Sequence, residues 1–260
     1  MYGQDGILYV ATGTSFVAEA ETSARSAKVH MPGVPIAIVS DVESQSDDFD
    51  IRLPLPNARR TWADKIRGML ASPFTQTLFL DTDTLVLRPL DHLFELLRRF
   101  DMAAAFEPAH GLDPIPRVPT GFAELNSGVV LFKNTDQVRA VLENWLHLFD
   151  EQTADNVRAG RPGGDDQYAF TRAVYCSELR FFVLPPEFNC RVIFPQVVSG
   201  PVYLAHCRLK DSGTYIESLA FLNQEIGVRV FNPNPRRLPS LIFNTVKLFW
   251  RLRLPPPITL

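Results

Sequence analysis

The chain has 260 residues, of which 46% are hydrophobic and 21% charged, so it can bury the core of one large domain or two small ones. Its formal net charge of −3 gives no indication of a nucleic-acid partner. No apolar run reaches the length of about 18 residues that a membrane-spanning helix needs, so no such helix is predicted.

The cysteines and the N-terminus give an expectation about the compartment. Cys176, Cys190 and Cys207 are an odd, scattered set without a C-x-x-C pair, which favours a reducing compartment over a disulfide framework. Residues 1–6 have neither the basic region nor the long apolar region of a signal peptide. We therefore expect a cytoplasmic protein.

The N-terminal region predicts a strand, a helix and a second strand. Residues 7–12 and 35–40 are apolar runs typical of buried strands, and residues 16–30 are typical of a helix with Ser15 as its N-cap. This order indicates a parallel, doubly wound α/β sheet, in which ligands bind beyond the carboxyl ends of the strands.

That rule makes Ala11, Thr12 and Gly13 a candidate nucleotide site, since they end the first predicted strand. The chain contains neither G-x-G-x-x-G nor a P-loop, so the usual dinucleotide and nucleoside-triphosphate sites lack their signatures.

Asp81 and Asp83 lie between two apolar runs at 77–80 and 84–87, after a predicted helix at 62–71. Residues i and i+2 of an extended chain face the same way, so we expect both carboxylates together at the buried end of a strand. Like charges this close are stabilised by a divalent cation, and carboxylate oxygens suit Mg²⁺ or Mn²⁺. The alternative is that the two aspartates only open the next turn.

The rest of the chain predicts more helices and strands, joined by long loops. The predicted regular elements are a helix from Asp91 as N-cap to residue 100, strands at 102–106, 129–132, 180–184 and 202–205, a helix from Thr135 as N-cap to about 149, and a helix ending near Cys176. The proline-rich segment 107–125 is either a binding loop or a plain surface connection.

Residues 236–260 form a segment distinct from the domain at 1–235. They mix Arg and Lys with Leu, Ile, Phe and Trp until prolines 255–257. A basic amphipathic helix at 238–253 would lie on the cytoplasmic face of an anionic membrane, which is an expectation of peripheral membrane contact. Packing against the core or against a partner subunit is the alternative.

Four blocks, in this order, resemble motifs of glycosyltransferase family 8, the glycogenin and bacterial lipopolysaccharide galactosyltransferase group. They are TLFLDTDTLVLRPLDHLF at 77–94, LNSGVVLF at 125–132, GGDDQ at 163–167 and PPEFNC at 185–190. The resemblance extends over about residues 7–211. It implies the GT-A type fold, a Rossmann-like mixed α/β sheet flanked by helices that binds nucleotide-sugars.

The resemblance also implies a metal site on the donor diphosphate. Asp81, Asp83 and His206 would hold Mn²⁺ or Mg²⁺, although a histidine by itself is more often structural. The family's G-x-x-K-P-W after that histidine is absent, and Lys210 or Arg208 would take over the diphosphate contact.

Further residues of this chain match donor-binding positions of the family. By resemblance, the nucleotide base would be lined by Ala11, Thr12 and Phe16. Thr82 would approach the ribose, and Lys65 would contact the donor near its diphosphate. Asn126, Asp166 and Gln167 would hold the sugar and stabilise the oxocarbenium-like centre; alternatively, Asp166 acts as a covalent nucleophile, or Asp165 and Asp166 only favour a helix N-terminus. Phe16 and Leu125 stand where the family commonly has a tyrosine and a phenylalanine, so the chain resembles a distant member.

The implied activity is that of a metal-dependent hexosyltransferase. It would move a sugar with retention from a UDP-linked donor to a saccharide, lipid-linked or protein acceptor. One alternative is a sugar nucleotidyltransferase, whose glycine-rich N-terminal loop is missing here. The other is a non-catalytic nucleotide-sugar-binding protein, which we would expect to lack one of Asp81, Asp83, Asp166 and His206.

Overall fold

The computed structural model describes residues 4–108, 114–206, 222–223 and 227–231. The strands in chain order are β1 (Asp5–Ala11), β2 (Ile36–Ser40), β3 (Ile51–Pro54), β4 (Gln76–Leu80), β5 (Thr84–Val86), β6 (Met102–Phe106), β7 (Leu125–Lys133), β8 (Phe181–Leu184), β9 (Cys190–Arg191), β10 (Gln196–Val198), β11 (Leu204–His206) and β12 (Arg229–Phe231). The helices are α1 (Thr14–His30), α2 (Ala63–Leu70), α3 (Asp136–Arg158) and α4 (Asp166–Tyr175), with 3₁₀ segments at Asp91–Arg98 and Pro186–Phe188.

A seven-stranded mixed sheet in the order β3-β2-β1-β4-β7-β6-β8 forms the centre of the fold. Strands β3, β2, β1 and β4 are parallel, β7 runs antiparallel to both β4 and β6, and β8 is parallel to β6. From β3 the chain returns through α2 to the other side of β1. The strand order therefore reverses between β1 and β4, and α/β sheets bind ligands at such a point.

Both faces of the sheet are covered, which explains why its strands are apolar runs in the sequence. Helix α1 packs on one face through small residues such as Ala20, Ala24 and Ala27. The opposite face carries α2, α3 and α4, with Trp145 and Phe170 fully buried and their rings 4.6 Å apart. The predicted α/β class is confirmed.

Two predicted helix caps are wrong, and one is confirmed. Helix α1 begins at Thr14 with Gly13 as its N-cap at φ 84°, so Ser15 is the second residue of the helix and does not cap it. Asp91 opens a 3₁₀ segment whose N-cap is Leu90, without a side-chain cap. Thr135 caps α3 by accepting a hydrogen bond from the Val138 N–H, as predicted. Helix α3 extends beyond the predicted end, to Arg158.

Some expectations fall outside the described residues, namely those about Arg208, Lys210, Cys207 and the segment 236–260. In the parts of the chain that the structure describes, no helix has the length and hydrophobicity needed to cross a membrane.

Candidate functional site

Asp81 and Asp83 lie in the turn that directly follows the buried end of β4, so the extended geometry predicted for the pair is corrected to a turn. Strand β4 ends at Leu80 and β5 begins at Thr84. The Asp81 N–H donates to the Gly128 carbonyl (2.7 Å), and the Thr84 hydroxyl donates to the Asp81 carbonyl (2.8 Å), which closes the turn. Because the chain bends here, the two carboxylates converge and stay about one fifth exposed (21% and 19%).

Strand pairing brings His206 to these carboxylates. Strand β11 runs antiparallel to β5 with His206 opposite Thr84. His206 Nε2 lies 3.3 Å from Asp83 Oδ1 and 3.7 Å from Asp81 Oδ2. One ligand atom of each residue lies within 4.8 Å of the other two. The predicted trio is therefore assembled, and two carboxylates with one imidazole suit Mn²⁺.

The space around this trio fits a bound cation. At Gly128 of β7, a Cβ would overlap the His206 imidazole and lie 2.8 Å from Asp81 Oδ2. Glycine at this position thus lets the strand backbone approach both side chains closely, as expected where a small group must be enclosed.

Lys65 of α2 joins Asp81 to Asp166, the first residue of α4. Its Nζ lies 2.9 Å from Asp81 Oδ1 and 2.9 Å from Asp166 Oδ2. The Ser127 hydroxyl donates to the same Asp166 oxygen at 2.6 Å. One ammonium group therefore holds together the turn after β4 and the start of α4.

These contacts shift the pKa values of the ionised groups. Burial alone would lower the pKa of Lys65, but the Asp166 and Asp81 carboxylates outweigh it and raise that pKa. Burial raises the pKa of Asp81, and it outweighs the lowering effect of the Lys65 and His206 charges. Burial also acts to raise the pKa of Asp83, but the hydrogen bond and charge of His206 lower it overall. The pKa values of these two neighbouring aspartates are therefore shifted in opposite directions.

A cavity of about 810 Å³ opens beside the trio, at the reversal of strand order between β1 and β4. Small-molecule sites typically measure about 300–1,000 Å³. Of the residues predicted for the site, the following line the cavity: Ala11, Thr12, Phe16, Lys65, Asp81, Thr82, Asp83, Asp166, Gln167 and His206. Asn126 is fully buried behind this wall and donates to the Gln167 side chain (2.5 Å).

The cavity also has residues that the sequence did not point to. Trp62, which is 50% exposed, and Arg191 both line it. Arg59, which precedes α2, and Asp150 of α3 also line the cavity, and they form an ion pair at 2.8 Å. No pattern in the sequence identifies them, since each comes to the site through a tertiary contact.

Sequence comparison relates part of the chain to a known protein. No family model matches the chain. Glucoside xylosyltransferase 2 of Xenopus laevis is 41% identical over 144 residues, covering 47% of this chain and 33% of that protein. The chain thus spans about a third of the length of this curated relative.

Solved glycosyltransferase structures share the fold. The galactosyltransferase LgtC, in complex with donor and acceptor sugar analogues, has a TM-score of 0.55 at 13% identity, covering 84% of this chain and 95% of that chain. GlyE of Streptococcus pneumoniae TIGR4 has a TM-score of 0.58 at 14% identity, covering 99% of this chain and 66% of that chain. The chain therefore has the GT-A type fold.

Proposed function

We propose that this chain, a distant relative of the GT-A glycosyltransferases, moves a sugar from a UDP-linked donor to a glycan or lipid-linked acceptor with retention of configuration. The observation that carries the proposal is the convergence of Asp81, Asp83 and His206 at the wall of the 810 Å³ cavity. A carboxylate pair with an imidazole suits a divalent metal, and a large cleft beside it leaves room for a diphosphate bound to that metal.

Asp81, Asp83 and His206 would hold the cation, Mn²⁺ or Mg²⁺. When bound, it would supply Lewis-acid neutralisation of the leaving diphosphate. Lys65 would add a fixed positive charge on the same side, because its ammonium already lies 2.9 Å from Asp81. Lys210 remains a proposed diphosphate contact outside the described residues.

The nucleotide would lie over the carboxyl end of β1. Ala11 ends this strand, Thr12 follows it, and Phe16 lies in the first turn of α1 with 41% of its surface exposed. Exposed aromatic rings offer a flat surface for a base. Thr82 would approach the ribose, and its hydroxyl is oriented by a hydrogen bond to Glu19.

The transferred sugar would face Asp166 and Gln167 at the start of α4. The Ser127 hydroxyl and Lys65 hold one oxygen of Asp166, so its carboxylate has a defined direction beside the cavity. Its negative charge would stabilise the oxocarbenium-like centre, and a phosphate oxygen of the donor would take the acceptor's proton. Asn126 would support the sugar through Gln167.

Calorimetric titration of UDP into the protein, with Mn²⁺ and then with EDTA, tests the proposal. We expect binding that needs the metal and that Asp83→Ala abolishes. Asp91→Ala is the matched control, because Asp91 is an exposed carboxylate in the next segment of the chain. UDP binding that is indifferent to EDTA contradicts the metal site, and selective binding of GDP, CMP or dTDP contradicts the choice of nucleotide.

Turnover separates a transferase from a binding protein. Hydrolysis of a UDP-sugar panel in the presence of Mn²⁺ is expected for at least one sugar, with release of the retained anomer seen by proton NMR. Binding without any hydrolysis or transfer would instead indicate a non-catalytic nucleotide-sugar-binding protein. A covalent sugar adduct on Asp166, found by mass spectrometry, would replace the phosphate-assisted route with a nucleophilic one.

A lipid-linked acceptor would be reached at a membrane. We therefore also propose that residues 238–253 contact the cytoplasmic face of a membrane peripherally. Liposome flotation of the full chain and of a chain ending at residue 237 tests it. Equal partitioning of both forms contradicts the membrane contact.

A further inference from the structure

A chain of buried hydrogen bonds leads from Glu107 to His206. Glu107, Asn126, Asn189 and His206 are 3%, 0%, 2% and 4% exposed. Asn126 Nδ2 donates to Glu107 Oε2 at 2.7 Å, and Asn189 Nδ2 donates to Asn126 Oδ1 at 2.7 Å. Asn189 Oδ1 lies 2.8 Å from His206 Nδ1. Polar groups this deeply buried need partners of the correct kind, because water cannot replace them.

The direction of this chain is determined at Asn126. The Gly128 N–H can only donate, and it donates to Asn126 Oδ1 at 2.9 Å. The Glu107 carboxylate pairs with the Arg191 guanidinium at 2.8 Å and accepts from Asn126 Nδ2. A donor on one side and an acceptor on the other thus determine which end of the Asn126 amide is oxygen.

The orientation of Asn189 then follows. Since the Asn126 oxygen faces Asn189, Asn189 must present its NH₂ group to that oxygen. Its own oxygen therefore faces His206 Nδ1, and an amide oxygen only accepts. The opposite orientation would set two amide oxygens 2.7 Å apart in a buried place.

We propose that Asn189 is a positioning residue that keeps a proton on His206 Nδ1, so that Nε2 is the nitrogen presented to a cation beside Asp81 and Asp83. The inference rests on the metal site of the proposed function. A ligating histidine usually donates its other ring N–H to an oxygen, which orients the ring and selects the nitrogen that binds metal. Here the donor–acceptor order comes from Arg191, Glu107 and the Gly128 backbone.

The same amide also orients the sugar side of the cavity. The second hydrogen on Asn126 Nδ2 is directed at Gln167 Oε1, and Gln167 Nε2 points to Glu124 at 3.5 Å. One buried asparagine thus connects the proposed metal ligand His206 with the cavity residue Gln167. Asn126 consequently has both hydrogens and its oxygen engaged within the protein.

The parent protein tests the inference directly by NMR of its imidazole nitrogens. With ¹⁵N-labelled histidine, the signals of His206 are assigned among the five histidines by comparison with His206→Gln. We expect Nδ1 to carry a proton both without metal and with Mg²⁺ and UDP added. A His206 with an unprotonated Nδ1 and a protonated Nε2 overturns the inference, even if UDP and metal bind normally.

Mn²⁺ affinity, measured by electron paramagnetic resonance, tests the consequence. Asn189→Leu keeps the side-chain size but removes the acceptor, and we expect Mn²⁺ binding about 10- to 100-fold weaker. Asn189→Asp keeps an acceptor for Nδ1–H but sets its second oxygen against Asn126 Oδ1, so we expect its Mn²⁺ affinity to fall by less than that of Asn189→Leu. The control is Asn134→Leu, which removes an amide bonded to the Ser72 and Phe74 carbonyls at the far end of β7.

The outcomes distinguish this inference from the proposed function. Equal Mn²⁺ affinity in the parent and in a folded Asn189→Leu overturns the positioning role and leaves the metal site standing. Equal loss in Asn189→Leu and Asn189→Asp, without loss in Asn134→Leu, assigns Asn189 a packing role and also overturns the inference. A protonated Nδ1 in a parent that binds no Mn²⁺ contradicts the proposed function instead.

Discussion

At the scale of single residues, two positions of β7 shape the site: Gly128, which has no side chain, and Asn126, whose side chain is a buried amide. Gly128 lies on β7 directly against the His206 ring and the Asp81 carboxylate. Asn126, two positions earlier on the same strand, orients the polar groups behind them. Residues i and i+2 share a face of a strand, so β7 supplies both the room and the orientation.

Gly128→Ala should weaken Mn²⁺ binding by at least about tenfold, because the added methyl displaces His206 and Asp81 from their common position. Calorimetry of Mn²⁺ with UDP measures the effect. Gly33→Ala is the matched control, since a Cβ at Gly33 has no atom within 4 Å. Unchanged affinity in Gly128→Ala would contradict the placement of the cation between these two ligands.

Asp83→Ala should lower sugar transfer by about 100-fold or more, because removing one electrostatic interaction from a site shielded from water has an effect of this size. Initial rates with saturating Mn²⁺ and donor measure the decrease, and Asp91→Ala should retain the parent rate. Parent-like turnover in Asp83→Ala would remove Asp83 from the metal site.

At the scale of elements, one carboxylate joins three strands at the end of the sheet. Asp101 precedes β6, and it pairs with Lys133 of β7 (3.0 Å) and with Arg180 next to β8 (2.8 Å). The hydrogen bond from Arg180 is the main reason that the pKa of Asp101 is lowered, against a smaller effect of burial. Glu107 directly follows β6 and Asn126 lies near the start of β7, so both are at the ends of these strands opposite to this junction.

Asp101→Asn should lower the melting temperature near neutral pH and much less in acid. A carboxylate with a lowered folded pKa contributes stability above its unfolded pKa of about 4, and that contribution is lost as the pH falls toward the folded pKa. Thermal unfolding of both forms across the acid range measures the difference. A difference that stays constant with pH would contradict a role for the Asp101 charge.

At the scale of the whole molecule, the cavity is shared between distant parts of the chain. Its wall includes the end of β1, the helices α1, α2 and α4, the turn after β4, and β11. Unfolding any of these elements would open the site. Ligand binding and global stability are therefore linked, because a ligand that binds only the folded state adds to its stability.

Mn²⁺ and UDP together should raise the melting temperature of the parent by several degrees, and each alone by less. At a ligand concentration of about 100 Kd the added stability is about 2.7 kcal/mol, and each kcal/mol corresponds to about 2–4 °C for a chain of this size. Differential scanning fluorimetry measures the shift. Asp83→Ala should abolish it, whereas Asp91→Ala should keep it.

Most elements of the sheet and its helices could be predicted from the sequence, because their signals are local. A strand covered on both faces is apolar whatever its neighbours are, so β1, β2, β4 and β6 are visible as apolar runs. Thr135 acts on an N–H three residues away, so its cap is also a local feature. The caps at Ser15 and Asp91 were predicted wrongly because backbone geometry at Gly13 and Leu90 starts these segments.

By itself, the sequence determined the α/β order and the identity of the groups that could hold a cation. Only the tertiary structure decided how they meet. The hydrogen bond from Asp81 N–H to the Gly128 carbonyl and the pairing of His206 with Thr84 join segments far apart in the chain, which no local pattern encodes. The direction of the Asn126 and Asn189 amides likewise depends on donors and acceptors brought from Glu107, Gly128 and Arg191. Such contacts depend on spatial register, and register is a property of the folded sheet.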